Sequence, residues 1–267
     1  MKPTPATATM IPAYDRVPFQ TDPGLGERAR IGLLVLRTDQ TIEAEARHVV
    51  SKLSGVALYQ SRLFNDFQIT RETLLAMGPL IPEAAALLPS EWEFGSIGYG
   101  CTSGAMVIGS HEVKNLVRKA HPRAEVSDPA AACVAALSSL AVKRLGILTP
   151  YGRAVNEAMA DGFSAKGFNV TAFASFEEPD DNRVARIGPS AIAEAAIGLG
   201  RRDDVDGVVV CCTSLRTLKA IPDIEAATGK PATSSNHALL WHLLRLGGFD
   251  DAVNGLGRLY LTVIRPS

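Results

Sequence analysis

The chain has 267 residues, 46% hydrophobic and 21% charged, with 27 basic against 28 acidic side chains and a net charge of −1. That is room for one large or two small domains with a sizeable core, without a basic excess to grip nucleic acid or an apolar run near the ~20 residues of a bilayer-spanning helix. With no apolar secretory stretch after Lys2, the expectation is a cytoplasmic globular protein with neither nucleic-acid nor membrane partners.

Five of the sixteen prolines fall within Met1 to Gly26, which shows neither helical nor strand period and reads as an irregular arm. From Arg30 onward, short aliphatic runs alternate with Ala-rich amphipathic stretches, the pattern of parallel strands joined by crossover helices. The predicted strands are Ile31 to Leu36, Val56 to Gln60, Phe94 to Tyr99, Leu145 to Thr149, Phe168 to Ala174 and Gly207 to Cys211. Their near-continuous apolar character predicts burial on both faces. One helix is predicted after Ser103, where Met106, Val113, Leu116, Val117 and Ala120 share a face before His121-Pro122. Asp39 is placed to cap another over Ile42 to Leu53, and a last helix is predicted over Asn236 to Leu246, capped by Ser235 and ended by Gly247.

The chain also repeats itself. Arg30-Ile31-Gly32-Leu33-Leu34 returns as Arg144-Leu145-Gly146-Ile147-Leu148, 114 residues later, and Cys101-Thr102-Ser103 returns as Cys212-Thr213-Ser214, 111 residues later. Two matches at nearly one offset predict duplicated halves. Each Cys-Thr-Ser triplet falls where a strand ends and a helix-compatible stretch follows, the edge at which open parallel sheets gather functional groups. Facing halves would put Cys101 and Cys212 on opposite walls of one cleft.

A thiol at such a turn is expected to be shifted toward thiolate by the helix start, while the neighbouring hydroxyls and amides of Thr102, Ser103, Thr213 and Ser214 suit a carboxylate or an enediolate. One thiolate removing a proton and one thiol returning it on the other face would invert a carbon, with no metal or organic cofactor. The four cysteines have no zinc-ligand spacing. Cys133, in the Ala-rich stretch Ala130 to Val142, reads as packing, and Cys211 must point opposite to Cys212 on a strand.

These segments, with Thr41-Ile42-Glu43, Leu148-Thr149-Pro150-Tyr151 and Val155-Asn156, resemble the aspartate/glutamate racemase superfamily over Arg30 to Trp241, within it the maleate isomerase and arylmalonate decarboxylase branch. The resemblance implies an α/β fold of two Rossmann-like lobes with parallel sheets, related by a pseudo-two-fold axis, the active site between them and the first lobe completed by the carboxyl end. The implied division is an arm over 1–26, lobe 1 over 27–122 plus 234–267, and lobe 2 over 123–233. It further implies a small carboxylic-acid substrate, a homodimer, Cys101 and Cys212 as the catalytic pair, Thr102 and Ser103 as carboxylate binders, Tyr151 as the active-site tyrosine and Asn182 as a substrate-contacting asparagine.

Decarboxylases of this branch keep only the second cysteine, so two cysteines point to racemisation or isomerisation. Maleate isomerases read Val-Pro-Ser-Ser-Asn after the first strand, whereas this chain reads Val35-Leu36-Arg37-Thr38-Asp39. Asp39 would repel a second carboxylate and attract an amine, unless it is only the helix cap. The run Arg37 to Glu43 looks most like the ectoine-utilisation branch, which implies a diaminobutyrate-type intermediate as substrate. The alternatives are a maleate isomerase or arylmalonate decarboxylase-like enzyme and, in another class, a non-catalytic carboxylate-binding protein. Gly98-Tyr99-Gly100-Cys101-Thr102-Ser103-Gly104 is one residue too long for a dinucleotide fingerprint, which disfavours a dehydrogenase. The other reading of Tyr151 is ordinary lobe packing, with function favoured, and His237 is expected to cap or face solvent, outside the site.

Overall fold

Two sheets of four parallel strands carry the fold, and each is built from the runs of Val, Ile and Leu that stay dry on both faces. In the computed structural model, which describes Arg16–Ile264, the strands are β1 (Ala29–Leu36), β2 (Val56–Leu63), β3 (Ser96–Gly100), β4 (Glu125–Ser127), β5 (Arg144–Thr149), β6 (Asn169–Ser175), β7 (Gly207–Val210) and β8 (Ala232–Ser234). Their spatial order is β2-β1-β3-β4 in one sheet and β6-β5-β7-β8 in the other. The same order recurs in both halves, as the internal repeat requires. Leu33, Leu34 and Val35 of β1 and Val209 and Val210 of β7 are fully buried, each such side chain contributing roughly 1.5–3 kcal/mol.

The register puts the functional edges together within each lobe. Val35 pairs with Gly100, so Cys101 begins where β3 stops beside the end of β1. Leu148 pairs with Val210, so Cys212 stands two residues past the end of β7, beside the end of β5. The helices after the fourth strands, Pro129–Ser139 and Ser235–Leu246, pack on one another, and the second covers β3, β4 and β1 of the first sheet.

Several sequence expectations need correction. The three-residue strands β4 and β8 were not predicted, because three residues are too few to show a period. Since β4 pairs with β3, the chain leaves the first sheet after Ser127, not at the expected 122/123 boundary; the return follows Ser234, the last residue of β8. The helix predicted after Ser103 is two helices, Thr102–Ile108 and Ser110–Arg118, broken at Gly109, whose φ of 92° is open to glycine and outside any helix. The last helix is capped by Ser234, which accepts from His237 N–H, and not by Ser235. That one-residue shift frees the Ser235 hydroxyl for the site. Asn182, expected from the resemblance to contact substrate, lies in a short helix, Asp181–Val184, capped by Asp180. Of the expected arm, Arg16 to Gly26 carries no helix or strand, and the remainder lies outside the described residues. Among the described residues no helix is long and apolar enough to cross a membrane.

Candidate active site

The ends of β3 and β7 open into one pocket, and its walls include Cys101, Thr102 and Ser103 from one half and Tyr151, Cys212, Thr213 and Ser214 from the other. The two cysteines that the repeat singles out therefore line a single cavity. Both are free thiols, as are Cys133 and Cys211, and all four are buried. Cys211 faces away from the pocket toward Cys133, as strand alternation requires.

Local backbone geometry sets each thiol. Cys101 caps the helix Thr102–Ile108, its sulfur accepting from Gly104 N–H at 3.2 Å and lying 3.8 Å from the Ser103 hydroxyl. Only glycine fits at 104: a Cβ there would sit 2.9 Å from the Cys101 sulfur and 2.6 Å from the Tyr99 hydroxyl. Cys212 is held in a backbone conformation with φ of 140°, rare for a side-chain-bearing residue and of a kind that clusters at functional sites. Its N–H donates to the Ser235 hydroxyl at 3.1 Å, and the same oxygen accepts from Thr102 Oγ1 at 2.8 Å. Ser235 thus ties the two Cys-Thr-Ser segments together across the lobes. Tyr151, buried, sits beside Cys212, and its carbonyl accepts from Asn156 Nδ2 at 2.7 Å.

Asp181, not singled out in the sequence beside Asn182, lines the pocket, as does Asp66. Asp181 accepts from Thr38 Oγ1 of lobe 1 at 2.8 Å and from Ser214 Oγ of lobe 2 at 2.7 Å. Asn182, the predicted contact, does not reach the pocket. Successive residues of the short helix turn by about 100°, so Asp181 faces inward and Asn182 outward, where it accepts from Gln40 Nε2 at 2.9 Å. Asp39 lies behind the pocket wall, its Oδ1 accepting from Thr41 N–H and Ile42 N–H at 2.7 and 2.8 Å; the N-cap of the helix Ile42–Val50 is Thr41, so Asp39 holds the start of that helix from two residues ahead of the cap that the sequence offered as its alternative role. The second oxygen of Asp39, Oδ2, is buried without a hydrogen-bond partner. The Thr213 hydroxyl beside it donates instead to Gly100 O, at 3.4 Å.

Two expectations about chemistry change. The hydroxyls of Thr102 and Ser214 are committed to Ser235 and Asp181, which leaves the first-turn amides as the donors at these positions for a carboxylate. The expected lowering of the thiol pKa is overturned. Burial pushes Cys101 up to about 11, against the opposing Gly104 amide and Ser103 hydroxyl, and burial also raises Cys212, with Asp181 adding to the shift. Desolvation outweighs the short helix start. The resting site therefore holds two thiols at neutral pH. In a titration followed by thiolate ultraviolet absorbance, the difference between the protein and its Cys101→Ser variant should show no ionisation below about pH 9, where an ordinary thiol is already ionised. A step between about pH 5 and 8 would mean that the helix start wins after all.

Burial pushes Asp39 up to about 6, with the Ile42 and Thr41 amides opposing. His237 lies outside the site as expected, though not in solvent: it is fully buried, bonded to Thr233 and Leu256, and burial lowers it to about 4. Among the described residues no group of three or more His, Cys, Asp or Glu side chains could hold a metal ion.

Fold and site together define a two-lobed parallel α/β protein whose duplicated strand ends bring a pair of cysteines into one buried pocket. The arylmalonate decarboxylase family model matches residues 101–260, and the chain belongs to that family. It is 26% identical over 242 residues to a maleate isomerase of Pseudomonas putida, covering 86% of this chain and 96% of that one. It is 32% identical over 126 residues to an arylmalonate decarboxylase of Bordetella bronchiseptica, 46% and 52% of the respective lengths. Among solved structures, a Nocardia farcinica maleate cis-trans isomerase mutant with a covalently bound succinylcysteine intermediate superposes with a TM-score of 0.78 at 26% identity, covering 87% of this chain and 98% of that one.

Proposed function

We propose that the protein is a cofactor-independent isomerase of a small carboxylic acid in which Cys101 and Cys212 act from the two lobes on one substrate. The observation that carries this reading is that both thiols line the same pocket, one at each duplicated strand end. The first-turn amides after Cys101 hold the substrate carboxylate and stabilise charge that builds on it as the neighbouring carbon reacts. Tyr151 packs beside Cys212 and fixes where that sulfur points. Because both sulfurs are thiols at rest, one must lose its proton after substrate binds, and the other keeps its proton to return.

Two reactions fit this equipment. Relatives matched along nearly their whole length are maleate isomerases, which supports cis–trans isomerisation through addition of one thiol to the double bond. Proton removal and return beside a carboxylate is the second, favoured by the presence of a thiol on each wall. The finer reading, a diaminobutyrate-type intermediate of ectoine breakdown, rests on the Arg37 to Glu43 run alone. Incubation in deuterium oxide without added cofactor separates the reactions. Amino acids should gain deuterium beside the carboxylate if proton transfer is the chemistry, and maleate should convert to its trans isomer if thiol addition is. Neither change across a panel of small acids would remove the isomerase reading in favour of a binding protein.

A further inference from the structure

The charge inside the pocket is one-sided. Asp181 and Asp66 belong to its lining, and none of the lining residues is Lys, Arg or His. Asp66 has a local partner, its Oδ1 accepting from Gln68 N–H at 2.8 Å. Asp181 is different: each of its oxygens accepts one hydroxyl, from Thr38 and from Ser214, which leaves acceptor capacity on both. Behind it stands Asp39, only 2% exposed, with Oδ2 lacking any partner and near enough to Asp181 for the two to repel. Asp39 is anchored in lobe 1 and Asp181 in lobe 2, and Thr38 couples the two. Buried carboxylates without a counter-cation are costly unless something brings one.

We infer that the substrate supplies that cation: the site takes a small amino acid whose ammonium is held by Asp181, with Asp39 behind it, in place of a dicarboxylate. The inference rests on the two-thiol reading for its chemistry and concerns which acid is admitted. A second carboxylate near Asp181 would meet two acids of like charge and no cation, whereas an ammonium would gain charge-assisted hydrogen bonds. The arrangement also answers how a resting thiol becomes a base. Asp39 and Asp181 both help to hold up the pKa of Cys101 and of Cys212, so an ammonium bound between these acids and the sulfurs lifts part of that penalty when the correct substrate is present. One thiol first releases its proton to solvent water; the resulting thiolate takes the proton from the α-carbon, and the other sulfur gives its own proton to the opposite face, so that one thiol and one thiolate remain. One C–H bond breaks, one forms, and no electrons leave the substrate.

The test is calorimetric binding to the Cys101→Ser/Cys212→Ser double variant, using three acids of equal carbon count: 2,4-diaminobutyrate, 2-aminobutyrate and maleate. At least one amino acid should bind about tenfold or more tightly than maleate, and adding Asp181→Asn or, separately, Asp39→Asn should narrow or reverse that order. Maleate binding as well as either amino acid, or a preference that survives both substitutions, overturns the inference. Two separate Asp variants guard against one of them failing to fold. Because binding is read with both thiols absent, the outcome does not depend on the two-thiol chemistry. Full turnover by a single-cysteine variant would instead fell that chemistry and leave the binding order standing.

Discussion

Replacing either Cys101 or Cys212 by Ser should lower turnover by about 10²- to 10⁴-fold, the range expected when a positioned proton-transfer group is lost. The substitution is nearly isosteric, and a hydroxyl at 101 can still accept from Gly104 N–H, so thermal stability should hardly move. What disappears is a group that ionises far more readily than a hydroxyl once substrate is bound. Cys133→Ser is the control: Cys133 is fully buried against Cys211 and outside the pocket, so it should change stability and leave turnover alone. Steady-state rates and melting curves for the three variants decide the matter. Near-normal turnover in either Cys101→Ser or Cys212→Ser would show that one thiol suffices.

Glu45→Leu should destabilise the protein by about 3 kcal/mol, because it strands donors on Asn236 and, from the other lobe, on Thr217 and Leu218. The Glu45 carboxylate accepts from Thr217 N–H at 2.6 Å, Leu218 N–H at 2.7 Å and Asn236 Nδ2 at 2.9 Å. Asn236 Nδ2 also donates to Thr213 O at 2.8 Å, which places the clasp one residue from Cys212. The variant should therefore lose activity along with stability. Glu45→Gln, which keeps an acceptor, should lose much less of either. Burial pushes Glu45 up to about 7, against the Leu218 amide, the Asn236 side chain and the Thr217 amide. A carboxyl raised in the folded state binds its proton more tightly there than in the unfolded chain, where the value is near 4.5. This group's contribution is thus full below about pH 4.5 and fades as the pH climbs toward about 7. Asp39, raised to about 6, acts in the same direction. Urea denaturation at about pH 5 and pH 8 should show a smaller fall in stability for Glu45→Gln than for the unaltered chain, the Asp39 part remaining.

The sequence makes the long strands legible because Ile31 to Leu36 and Gly207 to Cys211 are uninterrupted apolar runs, and it makes the pairing of Cys101 with Cys212 legible because duplication repeats the triplet at a fixed offset. Strands β4 and β8 were invisible, since three residues carry no period and gain their place only from β3 and β7. Asp181 and Asn182 could not be told apart by composition. Which one faces the pocket depends on the turn of a four-residue helix capped by Asp180. Ser235 is expected as a cap, but the helix begins on Ser235 itself with Ser234 as its cap, and the run Ser234-Ser235-Asn236 holds more polar groups than one cap requires. The thiol pKa departs from the expectation for another reason. A strand-to-helix turn is visible in sequence, whereas the depth of the pocket around it is a property of the folded chain, and depth is what sets the shift here.

The central claim is spatial and can be tested without knowing the substrate. Dibromobimane, which becomes fluorescent when both of its arms are alkylated, should at alkaline pH give one intramolecular bridge, assigned by peptide mass spectrometry to Cys101 and Cys212. Each thiol alkylated singly with no bridged product, or a bridge confined to Cys133 and Cys211, would contradict the claim that the two halves of the chain aim their sulfurs into one cavity.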